Sequence, residues 1–335
     1  MIGVGVVGYG YWGPNLARAF SEAEGTHVAA ICDQSPERLQ AAAKRYTHAG
    51  LTTSFEQLLA RPDVDAVAIA TPLATHFEMA LAALLAGRHV WLEKPMVGNS
   101  GHARRLIDEA ARHGLTLMID HPYLYSSAVR EIAARVRGGD LGQLHYYDSV
   151  RINLGRFRPD TSVLWDLAAH DLAILDYLTG LEPDTVSATG VRHFPGEPHD
   201  IAYLTLFYPG SLVAHVHASW IAPLKLRRTL IGGSRRMILY DDLEPSEKVK
   251  IYDRGVQIEN DLRVGYRAGG MSAPHLAVRD ALERGAAHFA ACVCDGTAPL
   301  SDGQSGLRVV RQLEAATASL ESGGRPRAVA EDAWR

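Results

Sequence analysis

Cysteine is nearly absent from this 335-residue chain: Cys32, Cys292 and Cys294 are the only three. So few cannot build a disulfide framework, and the expectation is a reducing compartment, the cytoplasm. No apolar run reaches the length of about 20 residues that a membrane-spanning helix needs. The N-terminus lacks a basic region and enters a strand-like segment at once, so no signal peptide is expected. Neither sign of charge dominates: the formal net charge is -4, which argues against a general nucleic-acid surface. Metal-ligand spacing is missing too. Cys292-x-Cys294 has no partner cysteines and reads as helix core, and His215 and His217 share a strand face without a third ligand, so no metal is expected. What remains is the composition of a globular protein, 47% hydrophobic and 21% charged, with enough chain for two domains.

The informative stretch is the beginning. Ile2-Gly3-Val4-Gly5-Val6-Val7 carries no charge and reads as a buried strand. Gly8-Tyr9-Gly10-Tyr11-Trp12-Gly13 follows and fits G-x-G-x-x-G, and Pro14 suits the first turn of a helix. In that pattern Gly8 allows a tight turn, Gly10 lets the backbone approach a pyrophosphate beside Tyr11 and Trp12, and Gly13 lets helix and strand pack closely. A second strand, 27–32, ends at Asp33, about 20 residues past the last glycine, where a carboxylate grips the adenosine ribose hydroxyls. NAD is therefore the expected cofactor. In NADP a 2′-phosphate would meet Asp33, and the only cation nearby is Arg38, one helical turn on, which can stack on adenine or bind phosphate.

Helical patterns at 36–46, 75–86 and 99–113, and one capped by Ser54 with Gln57, alternate with strand patterns at 64–70, 88–92 and 115–119. That alternation predicts a parallel α/β sheet covered on both faces, a Rossmann domain over residues 1–120. Ligands of such sheets bind beyond the carboxyl ends of the strands, so Gly8, Asp33, Thr71 and Lys94 should collect on one edge. A lysine at a strand end is ordinarily a solvated residue. Lys94 sits between Glu93 and Pro95 on the ligand edge, and that position favours a role in the site.

After Asp120 the pattern changes. Extended stretches at 144–154, 186–193, 201–208, 212–220, 228–231, 235–240 and 248–252 no longer alternate with helices. They predict an α+β domain, 121–335, with a large, mostly antiparallel open sheet and one exposed face. One helix, 163–175, is apolar almost all round and places Asp166 and His170 four residues apart on one face. Such a pair is either a satisfied structural hydrogen bond or a histidine held by a carboxylate for proton transfer. Two late amphipathic helices, 275–294 and 301–321, are expected to pack on the first domain or beneath the sheet.

Together these motifs resemble the glucose–fructose oxidoreductase / inositol dehydrogenase / MocA-type family. The resemblance is carried by Gly8-Tyr9-Gly10-Tyr11-Trp12-Gly13-Pro14-Asn15, Ala70-Thr71-Pro72 with His76, Glu93-Lys94-Pro95, and Trp165-Asp166-Leu167-Ala168-Ala169-His170-Asp171. It implies that Lys94, Asp166 and His170 form the catalytic group, with either Lys94 or His170 making the direct proton transfer. It implies that Thr71, Pro72, His76 and Glu93 line the cofactor groove, and that the C-terminal sheet makes a homodimer or homotetramer. Trp12 and the Trp-Asp-Leu-Ala-x-His-Asp form are most similar to members acting on nucleotide-linked sugars or amino-sugar glycosides. The expected function is hydride transfer between NAD and a ring secondary alcohol or ketone of a sugar. Tyr123, Tyr125, Asn153, Arg156 and Arg158 are candidate substrate contacts. An inositol or cyclitol dehydrogenase, a redox-assisted glycosidase and a non-catalytic NAD-sensing regulator stay open as alternatives.

Overall fold

The computed structural model describes residues 1–155, 157, 161–258 and 264–329. From the N-terminus come β1 (Ile2–Val7), α1 (Gly13–Glu22), β2 (Thr26–Cys32), α2 (Pro36–Ala43), β3 (Gly50–Thr52) and α3 (Phe55–Leu59). Next are β4 (Ala66–Ile69), α4 (Leu73–Leu85), β5 (His89–Glu93), α5 (Ser100–His113) and β6 (Leu117–Asp120), then a 3-10 turn, Pro122–Tyr125. The later elements are α6 (Ser127–Arg137), β7 (Leu144–Leu154), a π-helical turn Leu164–Ala168, α7 (Ala169–Thr179), β8 (Thr185–Val191) and β9 (Ile201–Phe207). They continue with β10 (Val213–Ser219), β11 (Ile221–Gly233), β12 (Met237–Asp241), β13 (Val249–Ile258), β14 (Val264–Ser272), α8 (Ala281–Asp295), α9 (Gly303–Glu321) and β15 (Arg327–Ala328).

Two compact units result. The first is Met1–Tyr125 with Arg279–Val310, and the second is Ser126–Val278 with Arg311–Arg335. The division thus falls after Tyr125 instead of Asp120, because the 3-10 turn packs against α8, and the first unit takes back α8 with the first part of α9.

In the first unit β3-β2-β1-β4-β5-β6 form one sheet in which every pair is parallel. β1, β4 and β6 are buried at every position, as strands covered on both faces must be. Short polar side chains start the helices: Ser35 Oγ accepts the Arg38 N–H at 3.2 Å, and Asn99 Oδ1 accepts the His102 N–H at 2.8 Å. Ser54 Oγ takes the Gln57 N–H, but the Gln57 side chain turns to Thr52, so only half of the expected capping box forms. Phe20, Trp91 and Phe289 meet edge to face, with centroids 5.2 Å (Phe20–Trp91) and 5.8 Å (Trp91–Phe289) apart, locking α1 and α8 onto β5.

The second unit is built on the sheet β14-β13-β12-β11-β7-β10-β9-β8-β15, antiparallel except between β10 and β7. Register places Tyr203, His217, Val150 and Arg228 in one row across it, and Phe207, Val213 and Tyr146 in another on the same face. Tyr203 and Phe207 are exposed there, while Tyr147, Ser149 and Arg151, one residue out of phase, are buried on the other face.

Several expectations need correcting. The 163–175 helix is a π-helical turn followed by α7, which runs to Thr179. The strand expected at 228–231 is the end of β11, whose irregular start contains Pro223 and shifts register between Ile221 and Leu226. β14 was not anticipated. α8 begins at Ala281, where Asp280 accepts the Leu282 and Glu283 N–H groups, and not at 275. Cys32 and Cys292 are buried, whereas Cys294 is exposed and so is not core. Among the described residues no helix is long and apolar enough to cross a membrane, and no group of histidines, cysteines and acids could hold a metal.

Candidate active site

Because the first sheet is parallel, the carboxyl ends of β1, β2, β4, β5 and β6 all lie on one edge. They deliver Gly8, Asp33, Thr71, Lys94 and His121 to it. Strand order reverses between β1 and β4, the place where a crevice opens in such sheets.

Gly8 has φ +87°, and its N–H donates to the Cys32 carbonyl at 2.8 Å. A Cβ on Gly13 would lie 2.0 Å from the Gly8 carbonyl oxygen, so the helix can approach the turn only through glycine. Gly10 differs. A Cβ there would meet only the Arg38 guanidinium, at 3.7 Å, so packing within the protein does not require a glycine. That bare backbone fits the close approach of a pyrophosphate. Tyr11 is 76% exposed at the same loop.

Asp33 is buried. Its Oδ2 accepts the Tyr9 N–H at 2.6 Å and its Oδ1 the Ser35 N–H at 2.8 Å, so the carboxylate braces the glycine loop. Arg38 Nη1 lies 3.4 Å from Asp33 Oδ2, with over half its side chain exposed. The cation expected one helical turn away therefore sits against the acid.

Thr71 and Pro72 open α4, and Thr71 Oγ1 accepts the Thr75 hydroxyl at 2.8 Å. His76 lies behind them, buried. Its Nε2 faces the Thr71 carbonyl at 2.9 Å and its Nδ1 the Pro95 carbonyl at 3.0 Å. Burial, above all, lowers its pKa. The groove-lining position expected for His76 is thus corrected: the buried ring lies between the Thr71 and Pro95 carbonyls, to one of which its single N–H donates, and it packs Thr71 against the Lys94–Pro95 segment. The Lys94 N–H donates to Glu93 Oε2 at 3.1 Å.

The second unit holds the other motif. Asp166 lies in the π-helical turn and His170 in the first turn of α7, half-buried. The Trp220 indole, itself 1% exposed, donates to Asp166 Oδ2 at 3.1 Å. The residue after His170 is pinned from beneath. Arg151 on β7 grips Asp171 with Nε to Oδ2 at 2.7 Å and Nη2 to Oδ1 at 3.1 Å, and Ser149 Oγ adds 2.7 Å to Oδ1. Asn153 follows on the same face of β7 as Arg151, half-buried.

Of the candidate substrate contacts, Tyr125 is corrected. It is 1% exposed, its hydroxyl is within 3.0 Å of Ser301 Oγ, and burial pushes its pKa up, so it belongs to the core of the first unit. Tyr123 is half-buried in the 3-10 turn. Arg156 and Arg158 lie outside the described residues.

Sequence reasoning passed over Asp120 and His121. Both are about 1% exposed. Asp120 Oδ2 accepts the Trp12 indole N–H at 3.0 Å. Asp120 is also the register neighbour of Glu93 on the adjoining strand. Burial, and then the Lys94 charge, push the His121 pKa down to about 3, so this imidazole is neutral. The available signal was an acid closing each of two consecutive strands of a parallel sheet.

A glycine loop with an open Gly10, a brace of Asp33 at the second strand end and a switch-point crevice define a dinucleotide-binding enzyme. The particular family follows from comparison. A profile described as "Oxidoreductase family, NAD-binding Rossmann fold" matches residues 2–121, and the "GFO/IDH/MocA C-terminal domain" matches residues 129–239. The chain belongs to the Gfo/Idh/MocA family and is an NAD-binding oxidoreductase. It is 31% identical to the UDP-N-acetylglucosamine 3-dehydrogenase of Acidithiobacillus ferrooxidans, over 91% of this chain and 93% of that one. A solved structure of that enzyme superposes with a TM-score of 0.83 at 29% identity, covering 97% of this chain and 100% of the other. The dTDP-3,4-didehydro-2,6-dideoxy-alpha-D-glucose 3-reductase of Streptomyces violaceoruber is 30% identical over 49% of this chain and 50% of its own.

Proposed function

We propose that the protein is an NAD-dependent dehydrogenase or ketoreductase of a nucleotide-linked sugar, acting at a ring secondary alcohol. The observation that carries this is the likeness to the UDP-N-acetylglucosamine 3-dehydrogenase along nearly the whole length of both chains. The shorter match is also to an enzyme whose name places its reaction at position 3 of a nucleotide-linked sugar, and position 3 is the proposed site of oxidation.

When bound, NAD supplies the hydride acceptor. The chain's own residues do the rest. Gly10 and the N-terminus of α1 receive the pyrophosphate, and Asp33 meets the ribose hydroxyls while bracing the loop. Lys94 donates a hydrogen bond to the sugar oxygen and stabilises the charge that develops on it. His170, oriented by Asp166, accepts the hydroxyl proton. Tyr123 and Asn153 are proposed to contact the sugar.

The test is absorbance of NADH with a panel of UDP- and dTDP-sugars, free sugars and inositols. Turnover is expected with a nucleotide sugar, and activity confined to inositols or simple alcohols removes the reading. The same assay compares cofactors. Arg38 is already drawn to Asp33, so a 2′-phosphate would meet the carboxylate with the Arg38 charge partly neutralised. NAD is expected to be preferred over NADP by at least about tenfold in kcat/KM, worth about 1.4 kcal/mol. A preference for NADP would mean that Arg38 outweighs Asp33.

Assembly as a homodimer or homotetramer through the open face of the large sheet is part of the proposal. It is supported by the outward row of Phe207 and Val213, 45% and 36% exposed, with Tyr203 four residues along β9 on the same face. Light scattering that shows a monomer at micromolar concentration would oppose it.

A further inference from the structure

Two buried carboxyl groups side by side are costly unless a proton lies between them, because like charges in a dry site cannot both persist. Asp120, 1% exposed, and the half-buried Glu93, whose Oε1 is shut off from solvent, approach such a pair. β5 and β6 run parallel with Glu93 opposite Asp120, so both side chains reach the same end of the sheet. Each carboxyl has one oxygen already engaged: Glu93 Oε2 by the Lys94 N–H and Asp120 Oδ2 by the Trp12 indole. The other oxygen of each, Glu93 Oε1 and Asp120 Oδ1, is shut off from solvent and meets no donor among the described residues. One proton shared between the two carboxyls satisfies both. The groups acting on the pair are Lys94 at the end of β5, Trp12 from the loop before α1 and the Trp91 indole of β5, and the neutral His121 follows Asp120 in the chain. Burial raises the pKa of both acids, and the Trp12 hydrogen bond at 3.0 Å favours the ionised form of Asp120. The proton therefore resides on Glu93, and Asp120 accepts from both sides.

Trp12 is the last residue before α1 and lies between Gly10 and Gly13. Its indole hydrogen bond to Asp120 ties this loop to β6 across 108 residues of sequence. We propose that Asp120 is a positioning residue for the dinucleotide loop, sharing a single proton with Glu93 and holding the Trp12 indole so that the Gly10–Gly13 segment is set before the cofactor arrives. The loop is then braced at both ends, by Asp33 beneath Tyr9 and by Asp120 at Trp12. Asp120 acts through Trp12 and touches no reacting atom.

This arrangement makes an unusual demand: position 120 needs an acceptor for the indole and a partner for Glu93, but it does not need a negative charge. Asp120→Asn keeps an acceptor oxygen and offers an N–H to Glu93. Asp120→Ala keeps neither. NAD affinity of the complete protein, measured by calorimetry without sugar substrate, separates the two. Asp120→Ala and Trp12→Phe are each expected to weaken NAD by about tenfold, the scale of one charge-assisted hydrogen bond, and Asp120→Asn to stay within about threefold of wild type. Infrared spectra of the protein without ligand are expected to show the C=O stretch of a protonated carboxylic acid at pH 7, sensitive to deuteration and absent in Glu93→Gln. Three outcomes overturn the proposal: Asp120→Asn as weak as Asp120→Ala, Trp12→Phe binding NAD like wild type, or no protonated-acid band that Glu93→Gln removes. None of these readouts depends on which sugar is the substrate, so the proposal and the substrate assignment fail separately.

Discussion

Lys94→Ala and His170→Asn are each expected to lower kcat by at least about 10²-fold while leaving NAD bound, the scale of a lost acid–base or charge-stabilising group. The expectation rests on what each side chain can do and on how little else it supports. Lys94 follows β5 at the ligand edge, and its charge reaches four groups: it adds to the burial that lowers the pKa of His76 and His121 and opposes the burial that raises those of Glu93 and Asp120. An alanine there removes the donor that would meet a developing alkoxide. It leaves Gly8, Gly10 and the Asp33 brace untouched. His170→Asn preserves size and one hydrogen bond but cannot take a proton near neutral pH. Because both losses act on the transition state, kcat and kcat/KM should fall together with little change in the Kd of NAD. Steady-state rates on the sugar, paired with NAD calorimetry, check this. Near-normal turnover in either variant would strip that residue of its role, and a collapse of NAD affinity would make it a cofactor contact instead.

Much of the first unit was legible because local and global signals agree there. An uncharged run, a glycine loop and an acid at the next strand end occur at spacings that only a βαβ unit satisfies, and Ser35, Ser54 and Asn99 mark helix starts. What escaped was set by distant contacts. Tyr123 and Tyr125 look alike in sequence, yet the fold places Ser301, 176 residues later, against the Tyr125 hydroxyl. His76 could be placed at the ligand edge, but the carbonyls of Pro95 and Met96 that engage it come from another loop. The π-helical turn was invisible because Leu164 to Thr179 is apolar enough to suit either helix. Pro223 hid the first half of β11, since proline argues against a strand and is accommodated here at a register shift. Asp120 was read only as the place where one domain ends, because the consequence of two neighbouring strands both ending in an acid appears once their register is known.

Arg151→Ala is expected to destabilise the second unit by about 3–5 kcal/mol, the usual result of removing one partner of a buried ion pair. Arg151 and Asp171 have side chains 4% and 1% exposed, so water cannot replace the guanidinium. The bidentate contact at 2.7 and 3.1 Å is lost, Ser149 Oγ remains on one oxygen, and the carboxylate stays in a dry site with its charge uncompensated. Asp171 is the residue after His170, and the Tyr147 hydroxyl also reaches the Asp171 carbonyl at 3.3 Å, so this network sets the height of the proposed base above β7. A fall in kcat should therefore accompany the loss of stability. The chain divides into two compact units, for which a single thermal midpoint need not report the second, so the readout is hydrogen exchange at the amides of β7 and α7, alongside the thermal midpoint. The double variant Arg151→Met with Asp171→Leu removes both charges and fills the space with apolar atoms. It should recover most of the lost protection, since replacing a whole buried pair is often neutral where breaking it is not. If Arg151→Ala costs less than about 1 kcal/mol, or if the double variant exchanges faster than the single, the ion pair does not anchor α7, and the position of His170 is set by the apolar packing of Leu172, Ala173 and Leu175 instead.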